Sequence, residues 1–89
     1  MTCKDAMIIN KLGMHARAAA KFVSLANNYS SEISLIRDEK TVNGKSIMGI
    51  MMLAAAMGTE LRICADGEDE TEACTSLINL VNDKFGEKE

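Results

Sequence analysis

Aromatic residues make up only 3% of this 89-residue chain, and it has no tryptophan and no proline. Its core must therefore be built from aliphatic side chains, alanine and methionine. Basic residues are not concentrated either: 10 Lys and Arg against 13 Asp and Glu leave a net charge of -3. That argues against a nucleic-acid partner, because affinity for a phosphate backbone needs a dense basic face. Long apolar runs are missing; the longest, IMGIMMLAAAMG, is too short to span a bilayer, so no membrane insertion is expected. The opening MTCKDAMII has no apolar segment behind a basic start, which argues against a signal peptide and makes the cytoplasm the expected location. The 3 cysteines, Cys3, Cys64 and Cys74, are odd in number with no close pair. They are expected to be reduced, passive apolar residues rather than a disulfide frame or a zinc site.

What is present is an ordinary globular balance, 47% hydrophobic and 26% charged, that fits one domain over residues 1–89. Residues 3–9 alternate, with Ala6 and Ile8 on one face, and read as a strand. From Ala16 to about Asn27 the apolar spacing is helical, through Ala19, Phe22, Val23 and Ala26. EISLIR alternates Ile33 and Leu35 against Ser34 and Ile36, and DEK turns it into a short strand from Lys40 to Asn43. Ser46 is a natural N-cap for a helix over IMGIMMLAAAM, in which Met52 and Leu53 are expected in the core. Gly58 stops that helix, and TELRICA supplies a fourth strand. Asp69 and Glu72 read as an Asp-led capping box for a last helix from Glu70 to about Lys84, burying Ala73, Leu77, Leu80 and Val81. The order β-α-β-β-α-β-α predicts an α+β fold, a four-stranded antiparallel sheet with its helices packed on one face.

The only histidine, His15, falls where the first loop meets the first helix, in NKLGMHARAAAKF. The first-turn amides of a helix lack partners and concentrate positive potential, which makes an anion site. Arg17 adds a guanidinium fork suited to phosphate oxygens. An unprotonated imidazole beside such a cradle is a nucleophile placed to accept a phosphoryl group. These residues alone leave a plain capping or surface histidine equally open.

GMHARAAAKF followed by NGKSIMGIMMLAAAMGTEL resembles the HPr family, the phosphocarriers of the phosphoenolpyruvate-dependent sugar phosphotransferase system. The resemblance runs over essentially the whole chain and covers both the Gly-x-His-x-Arg segment and the segment around Ser46. It implies an open-faced β-sandwich with three helices on one side of the sheet. It implies that enzyme I transfers a phosphoryl group to Nδ1 of His15, and that an enzyme IIA domain receives it. Arg17 and the backbone amides of Ala16 and Arg17 would stabilise the group in transfer, with no metal and no cofactor. The protein would then be a carrier and not a turnover enzyme. Most of the family has proline after the arginine, where this chain has Ala18; with alanine, Arg17 is free to join the first turn.

For Ser46 the resemblance implies a second role, as the target of HPr kinase/phosphorylase. Ile47, Met48 and Met51 would form an exposed docking patch, with Lys45 at its rim steering acidic partners; methionine suits a surface that meets several unlike partners. A monomer is the natural expectation. A regulatory carrier of the same fold, serving a nitrogen- or transcription-linked relay, is the near alternative. A small ferredoxin-like metal chaperone is a remote one, since its ligand loop needs two close cysteines.

Overall fold

Alternation and burial agree along the first strand, where Ala6 and then Ile8 turn inward while Asp5 and Met7 stay exposed. The computed structural model describes residues 1–89 and gives the order β1 (Thr2–Met7), α1 (Ala16–Ala26), β2 (Glu32–Arg37), β3 (Lys40–Asn43), α2 (Ile47–Met51), β4 (Glu60–Asp66) and α3 (Glu70–Asn82), closed by a short 3-10 turn at Lys84–Gly86. The four strands form one antiparallel sheet in the order β1-β4-β2-β3. Ile33 and Leu35 of β2 and Leu61, Ile63 and Ala65 of β4 point into the core. There they join Ala19, Phe22, Val23 and Ala26 of α1 and Ala73, Leu77 and Val81 of α3. The opposite face of the sheet carries no helix, which is the open-faced sandwich expected.

Four local readings are corrected. The middle helix ends at Met51, not Met57. Leu53 N–H and Ala54 N–H bond back only three residues, Ala54 takes a left-handed φ of 51°, and the chain leaves the helix there. The alanine-rich composition favours helix, but this segment serves as a wall: Ala55 O accepts Met14 N–H at 2.8 Å from the loop before α1. As a result Met52 is 73% exposed, while Leu53 is buried. Asp69 caps nothing; its carboxylate accepts from the Ser30 and Ser31 amides and the Ser31 hydroxyl, and these hold it below the usual carboxylate range. In α3, Leu80 is only half-buried, and Cys74 takes a core position.

The fourth correction concerns the cysteines. Cys3 and Cys64 are cross-strand partners in the β1/β4 register, with Cα atoms 4.1 Å apart, and are joined as a disulfide. A separation of 61 residues hid this pairing, which only the antiparallel ladder creates. Cys74 alone is a buried free thiol, and burial pushes its pKa up.

Candidate functional site

The loop between β1 and α1 is held from below before it presents its histidine. Ile8 exchanges backbone bonds with Gly58 and Thr59, and Asn10, fully buried, turns the chain by donating from Nδ2 to Gly13 O at 2.8 Å. Gly13 has φ +67°, and a Cβ there would lie 2.7 Å from Ala55 O and 2.9 Å from Ala56 Cα. The loop thus packs directly on the segment after α2, and only glycine fits the contact.

His15 is the N-cap of α1 with extended backbone (φ -73°, ψ 176°), and its side chain makes no capping bond. The first helical bond runs from Ala19 N–H to His15 O, so the amides of Ala16, Arg17 and Ala18 precede it and find no acceptor in the protein. The imidazole turns away from the helix. Its Nε2 contacts a carboxylate oxygen of Glu87, whose other oxygen accepts from Asn10 Nδ2 at 2.9 Å. Hydrogen bonds from Asn10 and then His15 hold the Glu87 carboxyl below the usual range, so it is an acceptor. Nε2 is therefore the protonated nitrogen and Nδ1 is left without a protein partner. The ring is about one-quarter exposed, at 24%.

Arg17 is exposed and joins the first turn of α1, and its guanidinium makes no ion pair or hydrogen bond within the protein. It borders a shallow open cavity together with Lys11, Leu12, Glu87, Lys88 and Glu89. Ser46 is the N-cap of α2, its Oγ accepting Gly49 N–H at 3.0 Å. Ile47, Met48 and Met51 are exposed at 41%, 79% and 45%. Lys45 is less free than expected at a rim, since its ammonium donates to Tyr29 O at 2.7 Å.

Sequence reading missed Asn10 and Glu87. Glu87 reaches the ring because Phe85, fully buried, anchors the end of the chain: Lys84 and Phe85 both take φ near +57°, and Lys21 Nζ donates to Phe85 O. Left-handed backbone at two side-chain-bearing residues costs of order 1–3 kcal/mol each and persists only where packing dictates it. A lone aromatic residue in an otherwise polar tail was the available signal.

Comparison with known proteins gives a concordant result. Residues 2–83 match the PTS-HPr family, described as the PTS HPr component phosphorylation site. The phosphocarrier protein HPr of Neisseria meningitidis is 54% identical over 82 residues, covering 92% of each chain. That of Cupriavidus necator is 48% identical over the full length of both. Among solved structures, an HPr from Thermoanaerobacter tengcongensis superposes with a TM-score of 0.96 at 46% identity over the whole of both chains. An HPr dimer from the same organism gives 0.79 at 50% identity, over 90% of this chain and 92% of that one. With the family's fold and extent matched from end to end, this chain belongs to the HPr phosphocarriers of the phosphotransferase system.

Proposed function

We propose that His15 carries a phosphoryl group on Nδ1, taking it from phosphorylated enzyme I and passing it to an enzyme IIA domain of the sugar phosphotransferase system. The observation that carries this reading is the Glu87 contact, which keeps the proton on Nε2 and leaves the Nδ1 lone pair free. That lone pair attacks phosphorus, and the N–P bond forms as the bond to the donor breaks. The product ring bears phosphoryl on one nitrogen and hydrogen on the other, and its positive charge lies against the Glu87 carboxylate. Arg17 and the Ala16 and Arg17 amides balance charge on the transferring oxygens. Ala18 adds an amide that proline in its place would lack. Each relay restores the starting protein, so His15 is a way station and not the centre of a turnover enzyme.

Ser46 serves in this reading as the site of ATP-dependent phosphorylation by HPr kinase/phosphorylase. A phosphate at a helix N-terminus is favourably placed, and its oxygens replace the hydroxyl as acceptor for Gly49 N–H. The added charge beside Ile47, Met48 and Met51, the surface for enzyme I, enzyme IIA and the kinase, slows phosphorylation of His15. Lys45 stiffens the loop at the edge of that surface through Tyr29 O. The protein works in the cytoplasm as a monomer.

Incubation with phosphoenolpyruvate and enzyme I, followed by intact mass after acid and after base, tests the carrier role. One phosphate is expected, labile in acid, stable in base and absent in His15→Ala. An acid-stable adduct, or none with any enzyme I, would sink it. With ATP and the kinase, an acid-stable phosphate lost in Ser46→Ala is expected. A phosphoserine form that accepts phosphoryl at the unmodified rate would overturn the regulatory role.

A further inference from the structure

The face of the sheet without helices holds chemistry that the phosphoryl relay does not use. Along β4, Leu61, Ile63 and Ala65 face the core, so Arg62 and Cys64 face the other way. Across the ladder they meet Asp5 and Cys3: Arg62 Nε pairs with Asp5 at 3.0 Å, and two rungs further, on the same face, Cys64 meets Cys3. The Cα separation of 4.1 Å is that of a close, non-hydrogen-bonded rung, where side chains approach most nearly. The two sulfurs differ in access. Cys3 lies exposed on β1, an edge strand with β4 as its only strand neighbour, whereas Cys64 is 6% exposed. The third cysteine takes no part, since Cys74 is buried on the core side, with its Sγ on Ile63 O.

We propose that Cys3 and Cys64 form a reversible oxidation site whose co-reactant is a low-molecular-weight disulfide, entering through Cys3. In the forward direction the Cys3 thiolate attacks one sulfur of the small disulfide, forms a mixed disulfide and expels one small thiolate. The Cys64 thiolate then attacks the Cys3 sulfur, closing Cys3–Cys64 and expelling the second. Two electrons pass from the protein to the small disulfide, and the two thiol protons end on the two small thiols released. Excess small thiol runs the same steps backward. The ladder bonds of β1 and β4 do not depend on the sulfurs, so the reduced protein keeps its sheet, and closing the bond clamps the edge strand to its neighbour.

The test uses the full chain, folded, in glutathione buffers of graded oxidised-to-reduced ratio. Samples are quenched in acid, denatured, alkylated and weighed intact, with amide exchange followed in parallel. Three alkyl groups are expected at the reducing end and one at the oxidising end, with the change reversible and circular dichroism constant. In Cys74→Ser the counts fall to two and zero; in Cys3→Ser no intramolecular bond forms. Exchange of the β1 amides is expected to slow by about tenfold or more on oxidation, with α1 amides unchanged. A bond that native protein keeps at the most reducing ratio would overturn the proposal, as would thiols that never pair, or a disulfide-linked dimer on a non-reducing gel.

Discussion

The two helix starts that carry the proposed phosphorylation residues solve the same problem in opposite ways. At α2, Ser46 satisfies its own helix: its hydroxyl accepts Gly49 N–H, and the five-residue helix is closed at its beginning. At α1, His15 holds the same position with the same extended backbone, yet its side chain turns outward to Glu87 and the first amides stay unpaired. A side-chain cap contributes about 1 kcal/mol, so the longer helix forgoes stabilisation that the shorter one keeps. Its 11 residues and five buried side chains make that tolerable. An unfilled set of donors beside the proposed nucleophile is a place for an incoming anion. A filled set is a place where a new phosphate must first replace the resident hydroxyl.

The contrast is broken most severely by His15→Ser. It installs the missing cap, so phosphoryl acceptance is abolished while the protein gains up to about 1 kcal/mol, read as a melting temperature higher by several degrees. Next is Glu87→Gln, whose amide no longer requires the proton on Nε2. Phosphoryl acceptance from enzyme I, followed by rapid quench, is expected to slow by about tenfold or more, with the fold intact. The same residue sets a pH response. Its carboxyl is depressed in the folded protein, so the stability it adds is present above the ordinary carboxylate value and lost as pH falls through the lower folded value. Acid melting curves of Glu87→Gln and the parent are expected to converge at the acid end. Ser46→Ala removes the filled cap and is expected to cost about 1 kcal/mol by denaturant melt. The smallest effect is expected from Ala18→Pro, which deletes one unpaired amide of the first turn and shifts Arg17 toward extended backbone; the transfer rate should change by no more than about threefold.

Much of this was legible in the chain. Period-2 alternation located β1, β2 and β4, because each has one buried face, the turn at DEK placed β3, and the 3.6 period marked the buried side of α1 except for Ala18. Ser46 as a cap and His15 at a helix start are local facts, readable from a few neighbours. The failures share one cause: a partner distant in sequence overrode a local preference. Asp69 prefers Ser31 across 38 residues to its own helix. The alanines after Met51 leave the helix to meet Gly13 and Met14. Cys3 finds Cys64 only once β1 and β4 are in register. Glu87 finds His15 only because Phe85 has already docked.

That last dependence makes the end of the chain more than a lid over the core. Docking of the tail and the proposed phosphorylation of the ring are two equilibria sharing one contact, so each must shift the other by the same free energy. Whatever strengthens the contact between ring and Glu87 tightens the tail, and whatever loosens Phe85 from the core weakens that contact. A core-packing residue at the far end of the sequence thus enters the affinity of His15 for the phosphoryl group proposed as its cargo, through no bond of its own to either.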